Sequence, residues 1–471
     1  MTRAWAASRT TAGAAARTVP ARAGSVFGSR AAAAAFDAAC ASPLVRGHLR
    51  TLARLEAAEA AEVHQWQVSR LARFHRLWGR SVPYYRAHPE YLQACLQGRL
   101  DELPVLGKET VRGLAGSFSS PRVPARRVTT GGTGGRPLDL RISYASFFTE
   151  WAHIAHVWGR AGVRPTDPKI TFRGGSLGAG FAGQPILFQP TYNHFLVSPF
   201  HLSDRTFADL LDRLGDFRPV AVWGYPSAVT PFAHWVARTG PHRALSRVRA
   251  VLLASEGAFD WQVALFREVF SAPVVRWYGQ SEKVVFAGEC PCRPGAYHLA
   301  PTYGLTEVVD GRIVGTGMTN AAMPLVRYDT EDAGTLLPPG SRGARCVCGS
   351  SFPVLTDVRG RWDQSLVYGA DDEPISTAAL NFHDGAFAVF DRFQFHQERR
   401  GEVELRVAAA RPPAASDLAR ARHLLQERVG DRLRVSVAVV PPETLLSVRG
   451  KGVTVDQRYR PGPATEMSRN V

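Results

Sequence analysis

Two groups of residues in this chain have types and spacings that could do chemistry. The first is Thr129-Thr130-Gly131-Gly132-Thr133-Gly134-Gly135-Arg136-Pro137. A run of glycine and threonine with no acidic residue makes a loop whose backbone N–H groups can turn inward and face an anion, with threonine hydroxyls as further donors for phosphate oxygens. The Gly-Lys-Ser/Thr ending of the usual nucleotide loop is missing. The second group is Cys290-Pro291-Cys292, His298 and Cys346-Val347-Cys348. Two knuckle-like clusters of thiolate and imidazole offer five candidates for the four positions of a tetrahedral zinc, and a closed four-ligand site would be structural. A third residue stands apart: Lys451, between glycines in Arg449-Gly450-Lys451-Gly452, in a chain with only four lysines.

Positioning these residues requires a sheet. Leu138, Leu140 and Ile142 alternate as a strand leaving the glycine-rich loop. Upstream, residues 43–80 show helical spacing, and residues 144–162 read as a helix in which His153 and His156 are packing residues. Between 168 and 290, short apolar runs alternate with helices: strands at Lys169–Phe172, Ala221–Tyr225, Ala250–Ala254 and Val274–Tyr278, helices at Phe207–Leu214, Phe232–Val236 and 260–270. Such alternation predicts a mostly parallel sheet with helices on both faces and ligands beyond the carboxyl ends of its strands. Ser255-Glu256 and Gly279-Gln280-Ser281-Glu282 stand just after two of those strands. Residues 303–332 are strand-rich, with a hairpin at Asp310-Gly311 and a strand at Leu325–Tyr328. Beyond Gly360-Arg361-Trp362-Asp363 the composition changes to a compact α+β unit: strands at Phe387–Phe395, Val403–Val407 and Leu433–Val440, a helix at Asp417–Val429, then a loop holding Lys451.

Composition narrows the function classes. Hydrophobic content of 45% and charged content of 21% fit a folded globular chain. The net charge of +16 is carried almost wholly by arginine spread through every segment, and no nucleic-acid reader motif accompanies it. That charge suits anionic small molecules better than a specific nucleic acid. No run of 18 apolar residues is present, so no membrane span is expected. The paired use of four of the six cysteines is metal usage in a reducing, cytoplasmic compartment. Residues 1–40 are expected to be a flexible extension.

Taken together, these stretches resemble the adenylate-forming enzymes, and within them the phenylacetate-coenzyme A ligase and capsule-biosynthesis-type branch. The resemblance covers roughly residues 60 to 460 and rests on the Gly/Thr loop, Gly224-Tyr225-Pro226-Ser227, Tyr278-Gly279-Gln280-Ser281-Glu282, Met323-Pro324-Leu325-Val326-Arg327-Tyr328-Asp329-Thr330-Glu331-Asp332 and Gly360-Arg361-Trp362-Asp363. Three positions depart from the pattern: Gly134 replaces a hydroxyl residue, Gln364 a second aspartate, and Glu331 a glycine. A glycine at that last place would signal a positive backbone torsion or a close approach to ligand.

The resemblance implies an α/β architecture: a large adenylation domain (41–362) with mixed sheets and flanking helices, and a small mobile α+β domain (363–471). It implies that a carboxylic acid is activated by ATP as an acyl-adenylate and transferred to a thiol such as coenzyme A. Transfer to an amine or a carrier-protein thiol is the alternative, as is a non-catalytic binding protein keeping the fold. Thr130, Gly131, Gly132, Thr133, Gly134 and Gly135 would hold phosphates, and Glu282 a Mg²⁺. Tyr278 would lie on the adenine, with Ser255, Glu256 and Gly257 at its edge and Gly279, Gln280 and Ser281 alongside. Asp332 and Arg361 would meet the ribose, Asp363 would be the hinge, and Lys451 would be carried in to the α-phosphate. Zinc also resembles what some relatives carry, with Cys290, His298, Cys346 and Cys348 as the ligands and Cys292 spare. Trp223, Tyr225 and the aromatic-rich 181–200 region favour an aromatic or apolar acid. A homodimer is compatible with this reading.

Overall fold

The computed structural model describes residues 30–129, 138–173, 184–199, 201–255, 257–258, 260–337, 345–360, 366–376, 380, 389–390, 392–409, 412–441, 444–448, 451–452 and 455–461. The Gly/Thr loop from Thr130 to Pro137, Glu256, Arg361 and Asp363 therefore lie outside the described residues.

Helix begins at Arg30, inside the stretch expected to be an extension. The reason is apolar burial: Phe36 of α1 (Arg30–Cys40) packs edge-on against Trp151 and Tyr192. Helices α2 (Pro43–Ala57), α3 (Ala60–Trp78), α4 (Pro83–Ala87), α5 (Pro89–Gln97) and α6 (Lys108–Gly113) follow, then the hairpin β1 (Ala125–Thr129) and β2 (Asp139–Ser143), and α7 (Tyr144–Gly159). Ser143 caps α7 by accepting from the Ser146 N–H at 3.2 Å.

The chain then builds half of a twelve-stranded sheet from β3 (Lys169–Phe172), β4 (Ile186–Gln189), β5 (His194–Val197), β6 (Ala221–Gly224), β7 (Ala250–Leu253) and β8 (Val274–Gly279), with α8 (Asp204–Leu214), α9 (Pro226–Thr239) and α10 (Asp260–Phe270) between them. Strands β5, β3, β6, β7 and β8 are parallel neighbours, and β4 is an antiparallel edge. All four residues of β3, β5, β6 and β7 are buried, as a sheet covered on both faces requires. Side chains alternate across it. Val222, Val251 and Leu253 pack with Phe232 and Phe266 of α9 and α10, while Ala221, Trp223, Ala250 and Leu252 pack with Trp151 and Trp158 of α7. Gly224 ends β6 where a Cβ would stand 2.6 Å from the Phe172 carbonyl oxygen.

The antiparallel half comprises β9 (Phe286–Cys290), β10 (Arg293–Leu299), β11 (Gly304–Val309), β12 (Arg312–Gly317), β13 (Tyr328–Leu337) and β14 (Val354–Arg359), joined to the parallel half through β8 and β9. Strand β13 begins at Tyr328, not at Leu325 as the apolar run suggested. Leu325 and Val326 are buried by packing, the Val326 N–H is taken by the Tyr85 hydroxyl, and Arg327 is left-handed at φ 51°.

The C-terminal unit holds the short pair β15 (Leu366–Tyr368) and β16 (Pro374–Ser376) and a four-stranded sheet of β17 (Arg392–Gln397), β18 (Glu402–Ala408), β19 (Arg434–Val439) and β22 (Val455–Gln457). Helix α11 (Ala415–Val429) buries Ala421, Leu425 and Val429. Lys451 lies on a strand, not in an open loop: β20 (Ser447–Val448) pairs with β21 (Lys451–Gly452), placing Lys451 opposite Val448.

Candidate active site and metal centre

A cavity of about 1200 Å³ opens beyond the carboxyl ends of the parallel strands. Ser255 and Gly257 follow β7, Tyr278 and Gly279 end β8, and Gln280, Ser281 and Glu282 continue from it; all line the cavity, as does Asp332 of β13. The structure thus brings the described members of the expected nucleotide site into one space. The backbone of Lys451 lies on β21.

The turn carrying Glu282 is held by a gap in its neighbours. Residues 283–285 cross directly over β11 and β12, where a Cβ on Gly304 would stand 2.2 Å from the Val284 carbonyl oxygen and one on Gly317 2.7 Å from that of Lys283. The Val285 N–H donates to Gln280 Oε1 at 3.2 Å, closing the turn. Ser255, Lys283, Arg327 and Glu331 all have left-handed torsions (φ 72°, 61°, 51° and 64°), a concentration of backbone strain of the kind that surrounding structure must maintain. At Glu331 the positive torsion expected of a glycine is present with a glutamate in place.

Several charges in the cavity are paired. The Tyr278 hydroxyl donates to Asp332 Oδ2 at 2.8 Å, and burial together with the Asp332 charge raises the tyrosine well above its usual value, so it remains a donor. The Tyr328 hydroxyl donates to Glu282 Oε1 at 3.2 Å, and Lys108 Nζ lies 3.6 Å from the same oxygen. Lys283 pairs with Glu150, and Arg276 with Glu289. Phe147, Trp151, Ile154 and Trp223 form an apolar wall, against which the Arg173 guanidinium lies 4.7 Å from the Trp223 ring. Sequence reasoning gave Lys108 no role. Its scarcity was the available signal, since Lys108, Lys169 and Lys283 are all engaged in ion pairs or hydrogen bonds.

The second constellation assembles at the far ends of β9 and β10. Cys290, His298, Cys346 and Cys348 bring their ligand atoms within 4.8 Å of one another, while Cys292 is exposed. Cys290 Sγ is 3.7 Å from Cys346 Sγ, and Cys348 Sγ is 3.2 Å from His298 Nε2. Ligands on a tetrahedral zinc at about 2.1–2.3 Å stand roughly 3.5–3.8 Å apart, which the sulfur–sulfur distance matches and the sulfur–nitrogen distance falls slightly short of. His298 Nδ1 lies 3.4 Å from the Phe352 carbonyl oxygen, leaving Nε2 for a metal. Burial pushes the Cys290 thiol up to about 12, a cost that a divalent cation would reverse. Ser351 and Arg345 hydrogen-bond the end of α2 at Leu55, Glu56 and Ala57, tying this knuckle to the N-terminal helices.

No protein-family profile matches the chain. It is 25% identical over 348 residues to phenylacetate-coenzyme A ligase of Aromatoleum evansii, covering 66% of this chain and 73% of that protein. It is 28% identical over 264 residues to the enzyme of that name from Thermus thermophilus, covering 49% of this chain and 57% of the relative. Among solved structures it superposes on 2-hydroxyisobutyryl-CoA ligase, in complex with 2-HIB-AMP and CoA in the thioesterification state, with a TM-score of 0.53, at 20% identity over 85% of this chain and 91% of the other. The fold is that of the adenylate-forming enzymes. In sequence the chain is similar to the phenylacetate-coenzyme A ligases.

Proposed function

We propose that this AMP-forming acid ligase activates an aromatic or apolar carboxylic acid with ATP and transfers the acyl group to the thiol of coenzyme A. A carboxylate oxygen of the acid attacks the α-phosphorus and pyrophosphate leaves; the thiolate sulfur then attacks the acyl carbonyl carbon and AMP leaves. The observation that carries this reading is the meeting of the buried side chains of Glu282, Asp332, Tyr278 and Lys108 in one cavity beyond β7 and β8. Two anions must approach each other, so neutralising charge is the main task.

The chain's own residues divide that work. Asp332, oriented through Oδ2 by Tyr278, is assigned to the ribose hydroxyls. Tyr278 lies beside the base with Ser255 and Gly257, and the Gly/Thr loop is assigned the outer phosphates. Glu282 is a buried hard carboxylate lining the cavity, the kind of donor that Mg²⁺ would take together with phosphates and water. When bound, that cation supplies charge neutralisation at the phosphates. The wall of Phe147, Trp151 and Trp223 supports the apolar acid. We assign zinc to Cys290, His298, Cys346 and Cys348 as a structural ion, because four protein ligands leave no position for substrate. Lys451 is assigned to the adenylating step, delivered by rotation about Asp363.

Acid-dependent exchange of labelled pyrophosphate into ATP tests the first half-reaction, and identification of the thioester against an amide or a carrier-bound product tests the second. Exchange without any acid dependence across aromatic and aliphatic acids would overturn the assignment.

A further inference from the structure

Lys108 opens α6, and its position is fixed by backbone pairing: the Leu106 N–H donates to the Arg327 carbonyl at 2.8 Å, and the Asp329 N–H to that of Leu106 at 3.0 Å. The ammonium thus lies buried between two carboxylates, 3.6 Å from Glu282 Oε1 and 3.9 Å from Glu331 Oε2. Glu331 holds its left-handed torsion because its N–H donates to Asp329 Oδ1 at 2.7 Å, and Asp329 is itself paired with Arg312. A glutamate in that torsion is strained where glycine would not be, so its carboxylate at Lys108 calls for a use.

A metal carboxylate with a lysine beside it has two cations competing for it. Lys108 and Glu282 alone would be a neutral pair; Glu331 brings a second carboxylate within the ammonium's reach. We propose that Glu331 is a positioning residue, drawing the Lys108 ammonium off Glu282 and leaving Glu282 open to the divalent cation that accompanies ATP. This rests on the reading of Glu282 as the carboxylate for that cation.

The test is Mn²⁺ binding to the full chain, followed by electron paramagnetic resonance with α,β-methylene-ATP, which cannot react. Glu331→Gln should weaken Mn²⁺ on the order of ten-fold, as loss of a residue supporting a metal ligand does. In a Lys108→Met background the same change should have no effect, because there is no ammonium left to divert. Glu331→Gly, which also relieves the torsion, should match Glu331→Gln and serves in its place should the glutamine variant fold poorly. Unchanged Mn²⁺ affinity in the single variants overturns the proposal. So does equal weakening in the Lys108→Met background, which would make Glu331 a ligand itself. Glu282→Gln separates the two layers: if it leaves Mn²⁺ affinity unchanged, the reading of Glu282 falls and the proposal with it, whereas weakening by Glu282→Gln alone overturns only the role of Glu331.

Discussion

The cavity beyond β7 and β8 and the cysteine–histidine cluster on β9 and β10 each gather donors that a cation could take, of contrary kinds. Beyond β8 the donors are hard carboxylates, each already sharing a tyrosine or lysine, around an open space of about 1200 Å³. Beyond β9 the donors are three thiols and an imidazole drawn within 4.8 Å of each other, with no room between them for a substrate. An open set of borrowed charges can exchange partners during a reaction. A closed set of soft ligands can only hold chain segments together.

That contrast can be broken. Glu282→Gln should lower acid-dependent pyrophosphate exchange by on the order of 10²–10³ while leaving thermal unfolding and zinc content unchanged, since it touches the open site alone. A parallel fall in zinc would erase the distinction. Lys451→Ala should slow acyl-adenylate formation by about 10² and leave transfer from a supplied adenylate to coenzyme A much less affected. Asp363→Pro should spare the first step and block the second; equal depression of both half-reactions by each variant would remove the moving unit from the mechanism.

On the closed side, Cys346→Ser should lose a zinc stoichiometry near one per chain and lower Tm on the order of 10 °C, with exchange per folded molecule kept, because structural zinc binding is folding free energy. Metal analysis and calorimetry check it, and metal-free wild-type protein of normal stability would refute it. The smallest effect concerns Glu56, at the end of α2 beside this cluster. Burial alone would raise its carboxyl, but the hydrogen bond and charge of His156 and those of Arg160 bring it down to about 2 from a reference value of 4.5. A carboxyl held below its unfolded value contributes stability that is present above about pH 4.5 and lost as pH falls toward 2. Glu56→Gln should therefore lower Tm at pH 7, where the paired carboxylate is charged, and converge on the wild-type curve as pH falls through that window, flattening the acid limb.

The parallel strands were legible because each is a short apolar run bounded by helical spacing, and the residues after β7 and β8 did fall at the cavity. The cysteine–histidine cluster was legible because each of its halves is a short run, Cys290-Pro291-Cys292 and Cys346-Val347-Cys348. Residues whose role depends on distant chain were not. Nothing near Lys108 announces Glu331; only the pairing of Leu106 with the start of β13 brings them together. The segment Leu325–Arg327 reads as strand because it is apolar, yet its backbone is spent on Tyr85 and Thr316. Spacing alone likewise left Cys292 level with its neighbours, whereas the turn after β9 leaves it in solvent.

The passage of residues 283–285 over Gly304 and Gly317 has a genetic consequence. Neither glycine lines the cavity, yet alanine at Gly304 must lift the turn carrying Glu282, because the obstructing atom is backbone and cannot step aside. In a saturation library scored for growth on the substrate acid, these two positions would tolerate as little as Glu282 itself. A survey that ranks tolerance by distance from the ligand would place them among the bystanders.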